Sequence, residues 1–243
     1  MRNYKFFISL ITIFILSSCI AFPCFAEETS YVWSTNSNSI NSSNENDINM
    51  ETSQLTEETN SGILDNNSLN LESGAAILIE QSTGQILYAH NIHEQLRPAS
   101  VTKVMSILLI MEALDSEKIS LTDAVPCSEN AASMGGSQIW LDPRETLTVD
   151  EMLKAICVNS ANDCVVAMAE YIAGSEEAFV QMMNDKAKEL GMNDTCFKNC
   201  HGLDEDGHIT SAYDISLMSK ELLNNHPTIT NYTTIWMDSL RGR

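Results

Sequence analysis

The 243-residue chain changes its pattern of apolar and polar positions twice. It begins with Arg2, Lys5 and a nearly unbroken apolar run over residues 6–20, passes through a polar stretch over 27–73, and carries regular patterns from Gly74 onward. Residues 75–80 and 85–90 are rich in Ile, Leu and Ala and flank Gln81-Ser82-Thr83-Gly84, a strand, turn and strand that predict a hairpin. Over residues 100–114 the period lengthens to that of a helix, with Val104, Leu108 and Met111 on one stripe. Pro98 stands just ahead of it, in keeping with a helix start.

More helices follow. Thr148-Val149-Asp150-Glu151 is a capping-box pattern that predicts a helix to about residue 158, and residues 163–173 predict another, leaving Asn159 to Asn162 as the break between them. Residues 175–190 predict a third, with Phe179, Met183, Ala187 and Leu190 facing inward as core and Gly191 as its stop. Ser211-Ala212-Tyr213-Asp214 caps one more, to about residue 223. The pattern is that of a mixed α and β domain beginning near Gly74, and 44% apolar composition is ample for its core.

The earlier residues predict export. A basic start, an apolar run and small residues ending at Ala26 read as a secretory signal peptide over 1–26, cleaved after Ala26. Within it Leu16-Ser17-Ser18-Cys19 resembles a lipoprotein box, an alternative that leaves a lipid-anchored Cys19 as the new N-terminus and ties the protein to a membrane. The run is short of the ~20 residues that span a bilayer, which disfavours an uncleaved anchor. Residues 27–73 hold nine acidic and no basic side chains among Ser, Thr and Asn; they bury too little apolar surface to fold and predict a disordered linker.

Charge narrows the partners. Thirteen basic against 33 acidic residues give −20, and no basic residue lies between Lys5 and Arg97, so nucleic acid, which is bound through Lys and Arg on phosphates, is excluded. Without residues 1–26 five cysteines remain: Cys127, Cys157, Cys164, Cys196 and Cys200. An odd number in an exported protein argues against a complete disulfide framework. Cys157 and Cys164 sit in apolar helical runs, where a thiol behaves as a small hydrophobe.

The candidate chemistry starts at Ser100-Val101-Thr102-Lys103. Serine and lysine three apart on a helix share a face, so the amine reaches the hydroxyl and can activate it without histidine, provided burial lowers the lysine pKa. Background composition produces one such spacing in a chain of this size about as often as not. Here it occurs once, and it opens an otherwise apolar helix in which a lysine needs a reason. A second element is Ser160-Ala161-Asn162, a hydroxyl and an amide in a tight turn between two helices, expected to present both side chains from one side of the chain. The same Ser-x-Asn spacing occurs at Ser34, Ser39, Ser42, Ser68 and Ser128, but only Ser160 has flanking helices.

Arg97-Pro98-Ala99-Ser100-Val101-Thr102-Lys103-Val104-Met105, Gly135-Gly136-Ser137-Gln138-Ile139, Ser160-Ala161-Asn162-Asp163 and His201-Gly202-Leu203-Asp204, in this order, resemble the low-molecular-mass penicillin-binding D-alanyl-D-alanine carboxypeptidases from about Gly74 to Arg243. The resemblance implies a β-lactamase/transpeptidase-like fold, an antiparallel sheet flanked by helices plus a helical subdomain. It implies that Ser100 attacks the carbonyl between the last two D-alanines of a peptidoglycan stem peptide, that Lys103 is the base, that Ser160 passes a proton to the leaving amine, and that Asn162 hydrogen-bonds Lys103 and the substrate. β-lactams would trap the same serine. No cofactor or metal is implied: Cys196, Cys200, His201 and His208 are close enough in sequence for a zinc test, but the resemblance places His201 in a structural loop, and His201 and His208 are expected to be hydrogen-bonding residues.

The chain departs from the family at one point. It contains no Lys-Thr-Gly, Lys-Ser-Gly or His-Thr-Gly. The resemblance puts that motif on a later strand, so the expectation is a chain cut short before its third motif and its C-terminal sheet strands. A non-catalytic wall-binding protein on the same fold is one alternative. A class A β-lactamase is another, disfavoured because the region around Glu189-Leu190-Gly191-Met192-Asn193 reads as a helix end and not as a glutamate-bearing loop.

Overall fold

Residues 71–240 are described by the computed structural model. The expected signal peptide over 1–26, the alternative lipidation site Cys19 and nearly all of the expected linker over 27–73 lie outside the described residues. The described residues all belong to one compact unit of the chain, Asn60–Arg243.

The hairpin forms where the pattern put it. β1 (Ala76–Ile79) pairs antiparallel with β2 (Ile86–His90), Ala76 opposite His90, with a register slip between Leu78 and Ile79. Its turn is organised by one side chain: the Glu80 carboxylate accepts from the backbone N–H and hydroxyl groups of both Ser82 and Thr83, bonds that hold its pKa down at about 2. A second antiparallel pair joins β3 (Ala124–Pro126) to β4 (Thr146–Thr148).

The helices are α1 (Lys103–Asp115), α2 (Glu129–Ala132), α3 (Val149–Asn159), α4 (Asn162–Ala173), α5 (Glu176–Glu189), α6 (Ala212–Asn225) and α7 (Thr230–Thr233). The capping box at Thr148 is complete: its hydroxyl accepts from Glu151 N–H while the Glu151 carboxylate accepts from Thr148 N–H. Ser175 and Ser211 cap α5 and α6 through their hydroxyls. The predicted inward face of α5 holds for Phe179, Met183 and Ala187, whereas Leu190 is only half-buried. α6 lies against β1, and its Asn224 exchanges two hydrogen bonds with Gln81 at the hairpin turn.

Two local expectations are corrected. The helix expected from residue 100 begins as a 3-10 turn, Ala99–Thr102, and becomes α-helical only at Lys103. Ala99 enters it with a φ of 46°, a left-handed conformation that cannot propagate into a right-handed helix. Nor does α1 present a stripe. It packs against α4, α5 and α6, and every residue from Met105 to Met111 is buried, Ser106 included. A helix enclosed on all sides shows no amphipathic period. α4 is nearly as enclosed, and the two helices form the centre of the core.

Candidate active site

Ser100 lies in the 3-10 turn at the mouth of α1, half-buried, and Lys103 is the first residue of the helix proper, 3% exposed. The i, i+3 spacing brings them together as expected: Lys103 Nζ donates to Ser100 Oγ across 3.4 Å. The stronger bond of the ammonium is to the backbone carbonyl of His201, at 2.6 Å. Burial disfavours the charged amine and lowers its pKa to about 8, against an opposing influence from the neighbouring Cys200.

The second predicted element is tighter than the sequence indicated. Asn159 still ends α3 and Asn162 already begins α4, so the break is Ser160 and Ala161 alone. Ser160 caps α3 in the left-handed conformation, φ 55°, and turns the chain sharply enough for α4 to start two residues later. The two polar side chains do not share one exposure: Ser160 is half-buried, Asn162 is 4% exposed. Asn162 Nδ2 donates to the Gly135 carbonyl at 2.8 Å, its backbone N–H donates to Ser137 O at 2.7 Å, and Asn162 Oδ1 is buried without a hydrogen-bond partner. The Lys103 bond that the resemblance implied for Asn162 is thus taken by His201 O, with the Asn162 amide held on Gly135 instead.

Asp163, fully buried beside it, explains why residues 135–141 lie here. Its carboxylate accepts from the backbone N–H groups of Ile139 and Leu141 and from its own helix at Cys164. The Gly135-Gly136-Ser137 strip is laid against Asn162 as a result, and Gly136, at φ 78°, leaves no space for a Cβ, which would meet Asn162 Nδ2 at 2.8 Å.

The third wall is the loop over residues 196–211. His201 Nδ1 accepts from Leu203 N–H, so the neutral ring carries its proton on Nε2, which faces Glu176 Oε1 at 3.4 Å. His208 Nδ1 accepts from Lys198 N–H, and its Nε2–H therefore donates to Thr102 Oγ1 at 2.7 Å. Burial lowers both imidazole pKa values. Both rings hold the loop together through these bonds, the role expected of them. Arg97 reaches Asp204 and, at 3.4 Å, Asp206. Among the described residues no group of three His, Cys, Asp or Glu side chains is arranged to hold a metal ion, and Cys127, Cys157, Cys164, Cys196 and Cys200 form no disulfide with one another.

Three participants were missed in the sequence. Ser106 donates to Cys200 O at 2.6 Å, Thr102 partners His208, and Glu176 faces Cys200 and His201. Ser106 carried a signal, a lone hydroxyl within an apolar run. Glu176 carried none, since a glutamate in the first turn of a helix is ordinary. Chemically Ser100 and Lys103 offer a hydroxyl beside a buried amine of lowered pKa, the components of base-assisted nucleophilic attack on a carbonyl.

The chain is similar to proteins of known family. A family model described as D-alanyl-D-alanine carboxypeptidase matches residues 61–241. The chain is 58% identical over 170 residues to the D-alanyl-D-alanine carboxypeptidase DacF of Bacillus subtilis, an alignment covering 70% of this chain and 43% of that protein. Among solved structures it resembles penicillin binding protein 6B from Escherichia coli, with a TM-score of 0.67 at 35% identity, over 70% of this chain and 55% of the other. It also resembles penicillin-binding protein D2 from Listeria monocytogenes in its ampicillin-bound form, with a TM-score of 0.61 at 27% identity, over 69% of this chain and 68% of the other. The chain thus spans less than half the length of its curated relative DacF.

Proposed function

The chain belongs to the D-alanyl-D-alanine carboxypeptidase family, and from that premise we propose that Ser100 is the nucleophile of a serine-type D-alanyl-D-alanine carboxypeptidase acting on peptidoglycan stem peptides and acylated by β-lactams. The observation that carries this reading is the buried Lys103 amine, with a pKa of about 8, within 3.4 Å of the Ser100 hydroxyl. At pH 7 about a tenth of such amines are neutral, some two orders of magnitude more than for an exposed lysine, so a base is present where a proton must be removed.

In this mechanism neutral Lys103 takes the Ser100 proton as Oγ bonds to the carbonyl carbon between the last two D-alanines. The tetrahedral intermediate collapses, the C–N bond breaks, and Ser160 passes a proton to the departing D-alanine amine. Water then attacks the ester and frees Ser100. Asn162, pinned on Gly135 through its Nδ2, keeps a buried Oδ1 acceptor without a partner, which this reading gives to the substrate. The cation for the terminal carboxylate is assigned to no residue here, because the 243 residues contain no Lys-Thr-Gly.

Residues 74–243 carry the catalytic site in this reading, residues 27–73 tether it away from the membrane or wall, and residues 1–26 direct export, with a lipidated Cys19 as the alternative start. No helix of the described residues is long and apolar enough to cross a membrane. Mass spectrometry of the mature N-terminus separates Glu27 from lipidated Cys19. The catalytic reading is tested by labelling the full-length gene product with a fluorescent penicillin, mapping the adduct and assaying D-alanine release from a pentapeptide. Label on Ser100 that disappears in Ser100→Ala supports it; label on another residue refutes it.

A further inference from the structure

The Cys200–His201 peptide unit is gripped from two helices. From α1, Ser106 Oγ donates to Cys200 O at 2.6 Å and Lys103 Nζ donates to His201 O at 2.6 Å. From α5, a single oxygen, Glu176 Oε1, lies 3.4 Å from Cys200 N, 3.3 Å from Cys200 Sγ and 3.4 Å from His201 Nε2. The bond from Leu203 N–H to Nδ1 keeps the His201 proton on Nε2, so three donors converge on this one acceptor. Carbonyls on one side of the loop are thus held by α1, and the donors of the same two residues by Glu176.

We infer that Glu176 is a positioning residue for the base: by fixing Cys200 N–H and the His201 ring it sets where the His201 carbonyl stands, and through that carbonyl where the Lys103 amine points. The role rests on the proposed function of Lys103, and the polar contacts of the Glu176 carboxylate are to Cys200 and His201, not to Ser100. Three observations support it. Glu176 begins α5, capped by Ser175 and fixed by the buried Phe179 and Met183, so its backbone does not wander. Its side chain is largely enclosed, at 18% exposure. Lys103 has no carboxylate partner among the described residues; its ammonium rests on a carbonyl whose position is set from outside α1. The ionisable groups facing the clamp are Lys103, Cys200, His201 and Glu205.

The test compares Glu176→Ala, Glu176→Gln and Glu176→Asp in the full-length protein. Glu176→Ala is expected to lower the limiting rate of Ser100 acylation by penicillin by about 10- to 100-fold, the cost of a misplaced reacting group, while leaving the dissociation constant of the initial complex unchanged. Losing a well-placed acceptor disfavours the ammonium, so the acid limb of the pH profile moves to lower pH, by about half a unit to one unit. Glu176→Gln keeps an acceptor oxygen and restores most of the rate. An alanine variant with parental rate and profile overturns the inference, as does a loss confined to the dissociation constant, or a glutamine variant as impaired as alanine. Should Glu176→Ala not fold, Glu176→Asp, which withdraws the carboxylate by one methylene, must show the same slower acylation. NMR titration of the Lys103 side chain in parent and variant decides without turnover: an unchanged midpoint refutes the inference. Absence of acylation in the parent would refute the proposed function, leaving this titration to judge the clamp.

Discussion

Gly202 lies so close to Ala99 that a Cβ on Gly202 would stand 1.9 Å from the Ala99 carbonyl oxygen. Two conformations that side chains disfavour meet here: Gly202 at φ 92° and, directly before Ser100, Ala99 at φ 46°. The loop carrying His201 is thereby locked to the turn carrying Ser100, and neither can shift without the other.

Gly202→Ala is therefore expected to destabilise the protein by about 2–5 kcal/mol, combining left-handed strain with a backbone clash that no rotamer relieves. Urea unfolding measures this. A midpoint equal to the parent's would mean the two segments move apart freely.

The acylation rate is expected to rise by about tenfold per pH unit in the acid range and to level off as pH passes through about 8, since the proposed mechanism needs the neutral form of Lys103 and burial holds its pKa there. Stopped-flow acylation from pH 5.5 to 9.5 gives the curve; a midpoint near the ordinary lysine value would remove Lys103 from the role. Lys103→Ala is expected to lose about 10²–10⁴ in rate, more than Asn162→Ala, which removes a positioning amide.

Asp163→Ala takes away the acceptor shared by the Ile139, Leu141 and Cys164 amides, and should cost about 2–4 kcal/mol of stability. Because the Ile139 and Leu141 amides anchor on Asp163 the segment that continues from the Gly135–Ser137 strip, faster hydrogen exchange is expected over residues 135–141. Exchange mass spectrometry reports it, and unchanged protection there would show that Asp163 does not hold the strip.

Thr148→Ala, distant from the chemistry, should cost about 1 kcal/mol through loss of the cap on α3, lowering Tm by about 2–4 °C with acylation unchanged. Calorimetry paired with penicillin labelling checks both halves.

What could be read from the sequence was local. The hairpin, the capping box at Thr148 and the Ser211 cap of α6 follow from neighbours a few residues apart, and each is found where its pattern lay. Ser100 and Lys103 were legible for the same reason, being separated by one helical turn. The rest depends on approach between distant segments. Lys103 meets His201 O across 98 positions and Ser106 meets Cys200 O across 94, and no spacing along the chain signals either. The stripe expected on α1 failed because enclosure by three helices buries residues irrespective of face. The pairing of Lys103 with Asn162 came from a resemblance, and the geometry gives that ammonium a backbone carbonyl instead.

The burial of α1 on every side also governs time. Its amide protons between Ile107 and Met111, on buried residues in mid-helix, are expected to exchange only as fast as the whole domain opens. An acyl group on Ser100 would then ride on the turn that leads into this enclosed helix. A protease clearing a penicillin-blocked molecule would have to wait for that opening, and the lifetime of the inactivated protein would follow its global unfolding and not the breathing of its surface.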